Sequence, residues 1–169
     1  MARSKHFNEL GIPRDYGKIP RLPRYPEAAR LEEVEPNIVG RLQRLAPDAA
    51  SDWRAMKNAA LGDGIELLMV SGFRSLDDQA EIIRRKLAAG LDIGAILAVN
   101  AAPGFSQHHT GLAIDIATRG SRPLMEEFEA TAAFAWLADH ARAFGFRMPY
   151  GRGNAYGLAY EPWHWSQLG

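Results

Sequence analysis

His108 and Asp115 stand seven residues apart, and Glu161 and His164 near the chain's end are separated by Pro162 and Trp163. Imidazoles and carboxylates bind zinc, and a carboxylate beside the metal can take a proton from water. On a helix, His108 and Asp115 would share a face but lie roughly 10 Å apart along the axis. On a straight strand they would point to opposite faces about 23 Å apart. Neither spacing suits one zinc ion, whose nitrogen and oxygen ligands sit about 2.0–2.2 Å from the metal. Shared ligation therefore needs a bend, and Gly111 permits one. Asp115 would then project on the same side as Gly111 and Ala113, small neighbours that leave room for metal and substrate. If His164 completes a two-His, one-Asp set, a fourth position stays open for water, as a catalytic zinc requires. Glu161 would then be close enough to deprotonate that water at neutral pH. Spacing alone leaves a blander reading open, because a buried Asp115 asks only for a partner, and an arginine serves as well as a metal.

The elements that must position these groups follow from periodicity. Residues 36–62 read as two short helices, the first carrying Ile38, Leu42 and Leu45 on one face. Pro47 starts the second, Trp53, Met56 and Ala60 stripe it, and Gly62 ends it. Ile65 to Val70 reads as a buried strand. Ser75 and Asp78 resemble a capping pair ahead of Leu76, Ala80, Ile83 and Leu87, which recur at helical spacing. A further short helix is expected over Ile93 to Val99 and a loop over 101–107. Leu112, Ile114 and Ile116 alternate with Gly111, Ala113 and Asp115, the pattern of a half-buried strand. Phe134, Leu137, Ala138 and Ala141 stripe a helix that Gly145 closes, and 145–157 reads as irregular. These elements fit an α+β domain with a small, mostly antiparallel sheet flanked by helices.

The chain has 169 residues, enough for one domain with a real core, and a formal net charge of zero. That balance gives no basic face for nucleic acid. Residues 1–24 hold six Lys/Arg against Glu9 and Asp15, with Pro13, Pro20 and Pro23. Residues 1–35 are therefore expected to form an irregular surface arm, which could meet an acidic polymer, and 36–169 a single domain. The absence of cysteine removes disulfides, thiolate zinc sites and cysteine nucleophiles. Met1 to Pro20 lacks the apolar core of a signal peptide, and no apolar run approaches a membrane span.

The run Ser106-Gln-His108-His-Thr-Gly111-Leu-Ala113-Ile-Asp115 matches S-x-H-x-x-G-x-A-x-D at every fixed position. With Ser71-Gly72-Phe73-Arg74-Ser75, Gln79 and Glu161-Pro-Trp-His164, the chain from about residue 65 to 169 resembles the D-alanyl-D-alanine carboxypeptidases of the VanY type. That group belongs to the metallopeptidases that include lysostaphin and the hedgehog zinc domain. The resemblance implies one Zn2+ per chain on His108, Asp115 and His164, with Glu161 as general base. It implies Arg74 at the developing oxyanion, and Ser106 and Gln79 at the peptide's terminal carboxylate. Read from the residues, Arg74 between a strand and a helix suits a fixed cation for transition-state charge, with a salt bridge to Asp77 or Asp78 as the structural alternative. Gln79 could instead cap the helix or lie on its surface, and Ser106 could satisfy loop backbone. His109 is expected to be packed or solvated, His140 structural and His6 on a mobile arm. Trp163 and Trp165 are expected to fix the His164 ring, and Tyr150 and Tyr156 to rim the substrate site.

The implied substrate is a peptidoglycan precursor or stem peptide that loses its terminal D-Ala. The alternatives are a D,D-dipeptidase or L-alanyl-D-glutamate endopeptidase of the same fold, and a zinc-stabilised binding module without catalysis. Pro162 favours the carboxypeptidase type over the dipeptidases. Such an enzyme would belong in the cell envelope if a leader were removed, and otherwise in the cytoplasm. Scissile bond and oligomeric state are not legible in the residues.

Overall fold

The structure, a computed structural model, describes residues 2–168. Helix α1 (Ala2–Glu9) precedes an irregular stretch and a hairpin of β1 (Glu32–Pro36) and β2 (Leu42–Leu45). There follow α2 (Pro47–Gly62), β3 (Leu68–Ser71), α3 (Leu76–Ala88), α4 (Ile93–Val99), β4 (Ala113–Ala117), α5 (Ala132–His140) and β5 (His164–Ser166). Strands β3, β4 and β5 form an antiparallel sheet with β4 in the centre. The α+β class with small antiparallel sheets is as expected.

All five residues of β4 are buried, but its two faces differ. Ile114 and Ile116 enter the main core with Trp53 and Met56 of α2, Leu137 of α5 and Phe146. The alternation of a strand sends Ala113, Asp115 and Ala117 to the opposite face, where the cleft lies. One strand thus joins an oily interior to a polar site, and burying Ile114 and Ile116 fixes which way Asp115 points.

Two expectations are corrected. Residues 36–45 are not a helix but the turn and second strand of the hairpin. Asn37 Oδ1 accepts from the backbone N–H groups of Val39 (3.1 Å) and Arg41 (2.9 Å), and Gly40 takes φ +79°. Such side-chain bonds and a left-handed glycine stabilise a turn against a helix. Leu45 is fully buried while Ile38 and Leu42 are 40% and 51% exposed, so the three share no face.

The N-terminal residues are likewise not all an irregular surface arm. Helix α1 packs on α3, where Phe7, Leu10 and Ile12 join Ile83, Ile96 and Phe105 in a second apolar cluster. His6, expected to be mobile, is buried with Nε2 3.1 Å from Asp77 Oδ1. Apolar burial of this kind outweighs the proline content of the stretch. The boundary expected at residue 36 falls at the end of β1. No helix among the described residues is long and apolar enough to cross a membrane.

Candidate metal centre

Asp115 and His164 are directly opposed on β4 and β5, and Ser71 of β3 faces Asp115 from the other side. Cross-strand partners project to the same face, so the sheet itself brings the carboxylate and the imidazole together. His108 arrives from a 3-10 turn, Gln107–Thr110, which Ser106 caps by accepting the His108 N–H at 3.3 Å. Gly111 ends that turn at φ +68°, and a Cβ there would stand 2.7 Å from the Ala46 nitrogen. The bend expected between His108 and Asp115 is therefore present and available only to glycine.

The ligand-capable atoms of His108, Asp115 and His164 lie within 4.8 Å of one another, and all three residues are buried. His108 Nε2 is 3.2 Å from Asp115 Oδ2, and His164 Nδ1 is 3.0 Å from Asp115 Oδ1. Ligand atoms around a tetrahedral zinc are about 3.4 Å apart. Each ring is also held on its far side. His108 Nδ1 donates to the Gly72 carbonyl at 2.7 Å, which leaves Nε2 without a proton or a hydrogen-bond partner. His164 is held from both sides, with Nε2 2.9 Å from Gln107 Oε1 and Nδ1 3.0 Å from Asp115 Oδ1. Two ring nitrogens and a carboxylate thus converge on one point, an arrangement of ligand types that could hold a divalent cation.

The electrostatics agree. Burial, followed by the nearby Arg74, lowers the His108 imidazole to about 4, keeping it neutral as a ligand must be. Burial works against an ionised Asp115, yet the two flanking imidazoles hold its carboxyl well below the usual carboxylate range.

Around this cluster three segments are laced backbone to side chain. The Arg74 N–H donates to the His108 carbonyl (3.2 Å), and His109 Nδ1 donates to the Arg74 carbonyl (2.7 Å). His109 Nε2 accepts from the Gly104 N–H at 3.0 Å, so both its nitrogens are used and it is packed, as expected, rather than lining the cleft. Gly72, whose carbonyl holds His108, could not carry a side chain, because a Cβ would meet the Arg44 carbonyl at 2.7 Å. Arg74 follows β3 and precedes α3, whose Ser75–Asp78 capping box forms with aspartate in place of the commoner Glu or Gln. It donates to Asp115 Oδ2 at 3.3 Å and to Gln79 Oε1 at 3.0 Å, not to Asp77 or Asp78. Gln79, buried rather than on the helix surface, spends its amide nitrogen on the Ala101 carbonyl at 2.7 Å.

Glu161 Oε2 lies 4.0 Å from His164 Nδ1, with its side chain 13% exposed. A tight turn places it there, with the His164 N–H donating to the Glu161 carbonyl at 3.1 Å and the Glu161 N–H donating to Tyr150 at 3.0 Å. Burial, followed by repulsion from Asp115, raises its carboxyl to about 8. The Tyr150 ring packs 4.7 Å from that of His164, and Tyr156 meets Tyr150 edge-on at 5.3 Å. Trp165 lies in the main core with Nε1 on the Pro162 carbonyl at 3.0 Å, which steadies the turn. His140 is stacked on Trp136 at 4.6 Å, a structural role.

These groups open on a cleft of about 560 Å³, whose walls include His108, Asp115, His164, Arg74, Glu161 and Ser106. Gln107 was not singled out from the sequence, although it sits between Ser106 and His108. Lys86 and Asn100, also on the cleft wall, carry no motif that would have marked them.

The model of the VanY family, D-alanyl-D-alanine carboxypeptidase, matches residues 42–169. YodJ of Bacillus subtilis (strain 168) is 36% identical over 149 residues, covering 85% of this chain and 54% of that protein. A D-alanyl-D-alanine carboxypeptidase of Enterococcus faecalis (strain ATCC 700802 / V583) is 32% identical over 122 residues, 66% of this chain and 44% of that protein. The chain thus spans about half the length of the curated relatives it matches. Among solved structures, the LdcB LD-carboxypeptidase aligns with a TM-score of 0.74 at 34% identity, over 87% of this chain and 72% of that one. A zinc complex of the vancomycin-resistance D,D-pentapeptidase VanY aligns with a TM-score of 0.67 at 27% identity, over 88% and 86%.

Proposed function

Because the chain belongs to the VanY family of D-alanyl-D-alanine carboxypeptidases, we propose that it is a zinc-dependent carboxypeptidase removing the terminal D-alanine from peptidoglycan stem or precursor peptides. The observation that carries this reading is the convergence of the His108 and His164 ring nitrogens and the Asp115 carboxylate, within 4.8 Å of one another, on an open cleft beside Glu161. His108 Nε2, His164 Nδ1 and Asp115 would hold one zinc per chain. Zinc held there would polarise the scissile carbonyl, acidify water and, as a neighbouring positive charge, favour ionised Glu161.

The chain's own groups divide the remaining work. Glu161 takes a proton from the attacking water as its oxygen bonds to the carbonyl carbon. It then passes that proton to the leaving amine as the C–N bond breaks. Arg74 offers guanidinium N–H groups to the oxyanion that develops, and Gln79 orients it. The Ser106 oxygen accepts from the His108 N–H, which leaves its hydroxyl proton free for a substrate oxygen. The Tyr150 ring shields one side of His164 from water.

The test is mass spectrometry of a pentapeptide ending in D-Ala-D-Ala, incubated with zinc-loaded protein with and without chelator. Loss of a single D-alanine, only without chelator, is the expected result, and an untouched peptide overturns the proposal. Release of the intact dipeptide would instead indicate the D,D-dipeptidase chemistry that a bifunctional relative from Enterococcus gallinarum is named for. Similarity to LdcB favours a second reading, cleavage of the tetrapeptide at an L,D bond. The same assay on the tetrapeptide separates the two by which chain length is shortened.

A further inference from the structure

The loop between α1 and the hairpin gathers positive charge outside the metal cleft. Arg14, Lys18, Arg21 and Arg24 line a separate cavity of about 520 Å³ against Phe105, and all four are exposed. Asp15 is the only acid in residues 11–24. Among the described residues, none of the four cations has a carboxylate within ion-pair distance. Elsewhere on the surface Arg84, Arg119, Arg122 and Arg152 are each paired with a glutamate. The loop that presents the unpaired charges is firmly seated. The Lys18 N–H donates to the Asp15 carbonyl and the Leu22 N–H to the Gly17 carbonyl, both at 3.0 Å. Gly17 takes φ +80°, and a Cβ there would meet the Phe105 ring at 2.6 Å. The Tyr16 hydroxyl accepts from the Ala102 N–H at 3.2 Å, tying the loop to the body of the domain.

Between Lys18 and Arg21 stands Ile19, which is 96% exposed. Among the described residues, the next most exposed large apolar side chain is Val39, at 73%. A lone exposed isoleucine is ordinary on a protein surface. One projecting from a ring of unpaired cations has the chemistry of an interfacial anchor. A soluble polyanion would satisfy the cations and leave Ile19 in water. An anionic bilayer satisfies both, with lipid phosphates against the cations and the isoleucine at the acyl boundary. The loop also borders the metal cleft. A Cβ on Gly157 would meet Pro20 Cγ at 3.5 Å, and the adjoining Leu158 lines the cleft.

We propose that the loop of Arg14, Lys18, Ile19 and Arg21 docks the protein on an anionic phospholipid surface, bringing the cleft rim beside the lipid. The inference is independent of which peptide bond is cut. Full-length protein would be sedimented with vesicles of phosphatidylcholine alone and of equal parts phosphatidylcholine and phosphatidylglycerol. Wild type should bind the anionic vesicles alone, and less tightly at high salt. The combined Arg14→Gln, Lys18→Gln and Arg21→Gln variant should bind about 100-fold more weakly. Ile19→Ser should lose about 10-fold, with thermal unfolding of both variants unchanged because the substituted side chains are exposed. The chain has no cysteine, so Ile19→Cys offers a single site for an environment-sensitive dye. Its emission should move to the blue on anionic vesicles and stay put with soluble polyphosphate. Equal binding to both vesicle types, or no binding to either, would overturn the inference. So would wild-type binding by the triple variant. Charge-dependent binding that Ile19→Ser leaves intact, with no blue shift of the dye, would also overturn it and mark a site for a soluble polyanion.

Discussion

The sheet side of the cleft and its helical side are built differently. On the sheet side, His108, Asp115 and His164 are at most 4% exposed, and each is fixed by a strand position or by a ring nitrogen bonded to a buried acceptor. On the helical side, Lys86 and Asn100 are half-buried, the ammonium has one neutral partner, and Val99 beside them is 43% exposed. A metal-binding group needs its ligands held to fractions of an ångström, which packed strands supply. A wall that admits and releases a peptide needs some freedom, which long side chains on a helix supply. The sheet side is thus the rigid wall of the cleft and the helical side the more compliant one.

Four substitutions probe that contrast. The largest effect is expected from Glu161→Gln, which keeps the shape of the sheet-side wall but removes its base. Turnover should fall about 10²–10⁴-fold while zinc content stays at the wild-type level, as read by single-turnover kinetics and metal analysis. Next, Arg74→Met removes the guanidinium donors and should lower kcat about 10²–10³-fold. A loss confined to KM would place Arg74 in ground-state binding instead. A smaller effect is expected from Gln79→Leu, which leaves Arg74 in place without its amide partner at 3.0 Å. Here kcat should drop about 10-fold, with zinc retained and KM moving less than kcat. Smallest in catalysis is Phe7→Ala in the second apolar cluster. It should cost about 3–5 kcal/mol of stability in denaturant unfolding while activity per folded molecule is preserved.

The two walls also differ in how readily the sequence discloses them. Asp115 was conspicuous because a carboxylate inside an apolar alternating strand demands a partner, and Gly111 because only a bend reconciles its neighbours. The fixed spacing around them, together with Glu161-Pro-Trp-His164, pointed to all the groups that converge. Lys86 and Asn100 were silent, since a lysine on a helix and an asparagine after one are ordinary surface residues until the fold turns both toward a cleft. Gln107 stood in plain view inside the motif, but its contact with His164 spans 57 positions and depends on how the β4–β5 pair is placed. The hairpin at 32–45 is disguised in the sequence because Ile38, Leu42 and Leu45 fall at helical spacing. The turn chemistry of Asn37 and Gly40 was the stronger signal. Phe7, Leu10 and Ile12 were masked by the surrounding prolines and charges, although their apolar character alone argued for burial.

The central claim is that His108, Asp115 and His164 together form a metal site, and zinc stoichiometry tests it most directly. Wild type, Glu161→Gln and the near-isosteric Asp115→Asn would be loaded with zinc, dialysed against a weak chelator and measured for bound metal and folded content. Wild type and Glu161→Gln should each retain one zinc per chain, and Asp115→Asn should retain almost none while remaining folded. A folded Asp115→Asn that still holds one zinc per chain would contradict the account.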